Sequence, residues 1–144
     1  LLSPEAGMGD ANPEGTVLVI DDEPDFLKIT SLRLSKQGHF MVLTAQDGQD
    51  GLEIARTGHP DVILVDLVMP RGIDGHQVLQ HLKEDPRTAD IPVIIISSVG
   101  QPQEVSTSLN LGAVCHMTKP FNLNELLREL KLAVMRHRQA HPPS

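Results

Sequence analysis

Short apolar runs recur along this chain and alternate with stretches whose apolar positions fall three or four residues apart. The runs at 17–20, 41–44, 62–65, 93–96 and 114–117 have the length of strands, and most are rich in the β-branched residues that strands favour. The stretches at 24–36, 46–57, 75–84, 103–111 and 123 to about 137 have the helical period. In the last of these, Leu123, Leu126, Leu127, Leu130 and Val134 form one stripe, which is expected to face the sheet. Leu132 and Met135 fall off it, either as a partner surface or as incidental exposed residues.

Polar punctuation agrees with these boundaries. Asp74 with Gln77, and Asn122 with Glu125, have capping-box spacing. Pro86 and Pro92 separate the third helix from the fourth strand. Repeated βα units require right-handed crossovers and a parallel sheet covered on both faces. The expected fold is therefore α/β and flavodoxin-like, with a five-stranded parallel sheet in the order 2-1-3-4-5. Residues 1–15 are rich in Pro, Gly and small polar residues and read as a disordered leader. The domain is expected to occupy 16–138, followed by a flexible tail at 139–144.

Composition narrows the function. The chain has 144 residues and a formal net charge of -7, which fits one compact domain and disfavours direct nucleic-acid binding through phosphate contacts. Neither a membrane span nor a secretory signal is apparent, so a cytoplasmic location is expected. The single cysteine, Cys115, excludes an internal disulfide and reads as a small buried hydrophobe. Of the seven histidines, only His137 and His141 share a helical face, and they read as solvated residues.

Chemistry-bearing residues gather at the ends of the strands. Asp21 and Asp22 follow the first, Asp66 the third, Ser97 the fourth and Lys119 the fifth. In an open parallel sheet these ends converge on one crevice. Three carboxylates there would raise one another's pKa unless a cation compensates, which implies a hard divalent ion. Each position taken singly is weak, since an acidic pair after a strand can simply begin a helix.

Together these residues resemble the receiver domain of bacterial two-component response regulators. V-L-V-I-D-D-E-P, V-I-L-V-D-L-V-M-P, I-P-V-I-I-I-S-S and K-P-F stand in the order and spacing of that family, over about residues 16–138. The resemblance implies that Asp66 accepts a phosphoryl group from a phosphohistidine donor. It also implies that Asp22, Asp66 and the Val68 carbonyl bind Mg²⁺ (or Mn²⁺) directly, with Asp21 acting through water. Lys119, directed by a cis Lys119-Pro120 bond, would pair with a phosphoryl oxygen, and Ser97 would bond another and draw its loop inward. The partners implied are a sensor histidine kinase or a histidine phosphotransfer protein. The moving surface would be the fourth helix, fifth strand and fifth helix, through which a phosphorylation-dependent dimer is expected. The module would be a switch with slow self-dephosphorylation and not an enzyme, and its output is unknown. The few residues past 138 leave a stand-alone regulator or part of a larger protein as the alternatives, and a first residue of Leu favours the latter or a tag remnant.

Three departures from the family pattern stand out. The stretch Arg71-Gly72-Ile73 is one residue longer than usual, and Gly72 is expected to absorb the insertion. His116 occupies the position of the aromatic switch residue, where it either alternates with Ser97 or stays static. Val68 and Val99 offer no polar group to orient a hydrolytic water. Three other functions fit these residues less well. A haloacid-dehalogenase-like phosphatase needs an Asp where Val68 stands. A flavin module lacks its phosphate loop and stacking rings. A phosphorylation-independent interaction domain usually loses an acidic or Lys position, and all are present here.

Overall fold

A computed structural model describes residues 14–98 and 101–141. The elements run β1 (Thr16–Ile20), α1 (Pro24–Lys36), β2 (Met41–Ala45), α2 (Gly48–Gly58), β3 (Val62–Asp66), α3 (Gly75–Glu84), β4 (Val93–Ser97), α4 (Pro102–Asn110), β5 (Cys115–Thr118) and α5 (Leu123–Ala140). All strand pairings are parallel, and the order is β2-β1-β3-β4-β5. This is the flavodoxin-like architecture expected from the sequence.

Burial follows from that order. Every residue of the interior strands β3 and β4 is buried, as are all but the first of β1, whereas the edge strands β2 and β5 are partly exposed. Side chains alternate between the two faces. Leu18, Ile20, Ile63, Val65 and Ile95 pack with Leu52, Ala55, Val78, Leu79 and Leu82 of α2 and α3. Val17, Val19, Leu64, Ile94 and Ile96 pack with Leu27 and Leu34 of α1 and with Leu126, Leu130 and Val134 of α5. Each fully buried Leu or Ile contributes roughly 1.5–3 kcal/mol relative to exposure, so two full cores make the sheet a rigid platform for its loops.

The helix ends match the residues there. At α3 the reciprocal capping box between Asp74 and Gln77 is complete, while at α5 the Asn122 side chain accepts from the Glu125 N–H. Gly72 has φ 76°, the left-handed backbone that accommodates the longer loop before α3. The stripe on α5 is graded: Leu126, Leu130 and Val134 are buried, Leu123 and Leu127 half-buried and Met135 exposed.

Some boundaries differ from the sequence reading. Helix α5 continues through Ala140, where the His141 N–H still reaches the His137 carbonyl at 2.9 Å, so 139–140 are helical and not tail. At the other end Glu14 N–H donates to the His39 carbonyl and Met41 N–H to the Gly15 carbonyl, each at 2.9 Å. Residues 14–15 are thus tied to the β2 edge, and the rest of the expected leader, 1–13, lies outside the described residues, as do 99–100 and 142–144. Among the described residues no helix is long and apolar enough to cross a membrane.

Candidate functional site

The C-terminal ends of β1, β3, β4 and β5 deliver their polar residues to one mouth. Carboxylate oxygens of Asp21, Asp22 and Asp66 all lie within 4.8 Å of one another. Lys119 Nζ stands over them, 3.0 Å from Asp21 Oδ2, 3.8 Å from Asp66 Oδ2 and 3.9 Å from Glu23 Oε1. Two backbone hydrogen bonds hold this arrangement. Lys119 N–H donates to the Ser97 carbonyl at 2.8 Å, which ties the lysine to the end of β4. Leu67 N–H donates to the Ile96 carbonyl at 2.8 Å, which does the same for the Asp66 loop. The Lys119-Pro120 peptide is cis, and Ser97 is fully buried.

Gly75 was not singled out in the sequence, yet it lets α3 approach the site. A Cβ there would sit 2.5 Å from the Asp66 carbonyl oxygen and 2.7 Å from Leu67 Cα, so any side chain would push the helix off the loop. The available sequence signal was its place directly after the Asp74 cap.

Electrostatics separate the three acids. Burial, and next the charge of Asp21, push the Asp66 carboxyl up from 3.8 to about 6; Asp22 adds to the rise, and Lys119 and the Val68 N–H oppose it. Asp21 is fully buried and both its oxygens are engaged, Oδ1 by the Glu23 N–H at 2.9 Å and Oδ2 by Lys119. Asp22 is half-buried. Three carboxylates facing one ammonium is the donor set of a hard cation, and these residues fit Mg²⁺.

Residues 17–131 match the response regulator receiver domain family over most of the chain. The chain belongs to that family. It is 38% identical over 120 residues to the DNA-binding dual master transcriptional regulator RpaA of Synechocystis sp., covering 83% of this chain and 49% of that protein. It is 39% identical over 115 residues to protein PilH of Pseudomonas aeruginosa, covering 79% of this chain and 93% of that protein. Among solved structures, the Francisella response regulator 1452 receiver domain superposes with a TM-score of 0.77 at 30% identity, covering 87% of this chain and 98% of the other. The chain thus spans about half the length of the regulator RpaA but nearly all of PilH.

Away from the mouth, this receiver carries a second polar cluster. His116 on β5 turns its Nδ1 to Ser108 Oγ at 2.8 Å, and His76 of α3 reaches the same oxygen through Nε2 at 2.7 Å. Ser108 Oγ also lies 3.0 Å from the Glu104 carbonyl. The carbonyl can only accept, so when the hydroxyl proton goes there both imidazoles donate to Ser108. His116 Nε2 is then a buried atom with no hydrogen-bond partner. A second proton on that ring would bury an unpaired charge, and burial, then His76, pull the His116 pKa below 6.5 against the opposing Glu104 charge. The sequence pointed to His116 but not to Ser108 or His76, because nothing in linear spacing pairs residues on α3, α4 and β5.

Other histidines also find partners. His137 Nδ1 lies 3.4 Å from Asp61 Oδ1 and is half-buried rather than solvated, whereas His141 is exposed as the sequence reading had it, with Nε2 3.0 Å from Asp90 Oδ2.

Proposed function

We propose that this receiver accepts a phosphoryl group on Asp66 and that the resulting charge is read out through α4, β5 and α5. The observation that carries the reading is the single mouth at which Asp21, Asp22, Asp66 and Lys119 meet. Asp66 is the nucleophile: a carboxylate oxygen attacks phosphorus, the bond to the donor nitrogen breaks, and an acyl phosphate forms. Asp22, Asp66 and the Val68 carbonyl would hold Mg²⁺, and Asp21, with both oxygens engaged, suits an outer role through water. When bound, the ion offsets charge on the transferring group and helps align it.

Lys119 supplies the counter-charge to a phosphoryl oxygen on Asp66, directed by the backbone at Pro120. Ser97 is placed at the neighbouring strand end to bond another phosphoryl oxygen. A movement of Ser97 is felt next along β5, where His116 is held by Ser108 of α4, and this makes His116 the residue through which the helix senses the site. Phosphorylation adds charge and acceptor oxygens to a preformed site and biases a bistable loop. Turnover of a substrate is not needed for this role, and the domain acts as a switch with slow self-dephosphorylation.

The donor is a sensor histidine kinase or a histidine phosphotransfer protein, and the setting is cytoplasmic. An open groove of about 490 Å³ beside the site, lined in part by Phe26, Ile29, Arg33, Lys119 and Phe121, offers the partner a docking surface. The relative RpaA is by name DNA-binding, and a DNA-directed output outside this acidic domain is one route for the signal. A phosphorylation-dependent dimer through α4, β5 and α5 is another.

The test is incubation with Mg²⁺ and acetyl phosphate followed by intact mass. The wild type should gain one phosphoryl group and Asp66→Ala none. Equal labelling of the two proteins would overturn the assignment.

A further inference from the structure

Phe26, Phe40 and Phe121 are the only Phe, Tyr or Trp residues in the chain, and two of the three stand beside the acidic mouth. Lys119 Nζ lies 4.1 Å from the centroid of the Phe26 ring. Phe26 in turn meets Phe121 at right angles, with centroids 6.1 Å apart. Phe26 comes from the first turn of α1 and Phe121 from the turn before α5, so the contact joins two elements that flank the site.

The ammonium of Lys119 has three donors and one short carboxylate contact, to Asp21; Asp66 at 3.8 Å and Glu23 at 3.9 Å are within ion-pair range but beyond a hydrogen bond. Its flexible stem must be kept from turning out toward Glu23, which is exposed. A carboxylate placed where Phe26 stands would hold the ammonium, but it would add negative charge to a cluster that already has three carboxylates within 4.8 Å of one another. An aliphatic residue would fill the space without attracting the cation. An aromatic face attracts it through the ring quadrupole and adds no net charge.

We infer that Phe26 is a positioning residue for phosphoryl transfer to Asp66, its ring holding the Lys119 ammonium over the mouth while Phe121 sets the ring's tilt. The inference rests on the reading of Asp66 as the phosphoacceptor. It concerns the state before transfer, when Lys119 must be poised near Asp66 without being locked to it. A ring face is non-directional, so it releases the ammonium toward the incoming phosphoryl oxygen more readily than a charged hydrogen bond would.

The experiment compares wild type, Phe26→Leu and Phe26→Tyr. Acyl-phosphate formation is followed by intact mass with Mg²⁺ and acetyl phosphate, a donor too small to need the docking groove. In parallel, carbon-detected NMR reads the Lys119 ε-methylene, whose protons are shifted upfield by a ring beneath them. Phe26→Leu should slow phosphorylation by about three- to tenfold, within the range of a partly desolvated cation–π contact, and should lose the upfield shift. Phe26→Tyr, which keeps the ring, should stay within about twofold of wild type and keep the shift. A leucine variant at the wild-type rate, or a tyrosine variant as slow as leucine, would overturn the inference. If Leu lowers the melting temperature, rates are taken well below it, and the tyrosine comparison still separates ring from fold. A wild type that takes no phosphoryl group would instead refute the reading of Asp66.

Discussion

Replacing Asp66 with Asn should make the metal-free protein more stable at neutral pH, although it removes the proposed phosphoacceptor. The folded state holds the Asp66 carboxyl at about 6 against an ordinary 3.8, chiefly because the group is buried and because Asp21 is close. A difference of about two pKa units corresponds to roughly 3 kcal/mol of destabilisation when the group is ionised. Asn keeps the shape and drops the charge, so a gain of about 1–3 kcal/mol is expected at pH 7.5 without Mg²⁺. The sign follows from linkage. With the folded pKa above the unfolded one, the folded wild type binds the extra proton between about pH 6 and 4 and gains stability as pH falls through that window. The advantage of Asp66→Asn should therefore shrink by well over half at pH 4.5. His116, whose folded pKa is lowered, has the opposite trend below pH 6.5, but it is common to both proteins and cancels in the difference. Adding Mg²⁺ at pH 7.5 should stabilise the wild type more than the variant, since the compensated charge is missing in the latter. Urea unfolding at both pH values, with and without Mg²⁺, measures all of this. An Asn variant no more stable than wild type at pH 7.5, or an advantage unchanged at pH 4.5, would refute the electrostatic account.

Three further outcomes are expected. Ser108→Ala removes the hydroxyl that joins two imidazoles and should cost about 1–3 kcal/mol, less the small gain in helix propensity; an unchanged urea midpoint and unchanged His116 ring shifts in NMR would show that the bridge contributes nothing. Amides of α4, whose only buried side chain is Ser108, should exchange hydrogen faster than those of α5; equal rates would argue against a pliable readout helix. Because neither the exposed Val68 nor Val99 has a polar side chain to orient a hydrolytic water, the acyl phosphate should persist for minutes or longer; decay within seconds without a phosphatase would contradict this.

Fold and site were legible in the sequence to different depths. The strands were readable because a parallel sheet buries both faces, so β1, β3 and β4 are continuous apolar runs with a polar residue at the C-terminal end. Their order placed Asp21, Asp22, Asp66, Ser97 and Lys119 at one mouth without any need for side-chain detail. The end of α5 was misjudged because His137 to Ala140 lack the apolar stripe. Their helix is instead continued by backbone bonds and by contacts such as Arg138 with Asp61 at 3.4 Å, which periodicity does not register.

What was hidden shares one property: it depends on pairs of residues far apart in sequence whose types are unremarkable alone. Phe26, His76 and Ser108 occupy ordinary positions on α1, α3 and α4. Only the fold brings a ring to Lys119 and two imidazoles to one hydroxyl. The distinction is physical. Several like charges gathered at strand ends repel one another unless a cation offsets them, so together they are a visible signal in the sequence. Neutral contacts made by a ring face or a hydroxyl carry no such penalty and leave no trace in composition. If the acids carry the proposed phosphoryl transfer, substitutions at Phe26 and Ser108 should alter its rate and its coupling to α4 without abolishing phosphoryl acceptance.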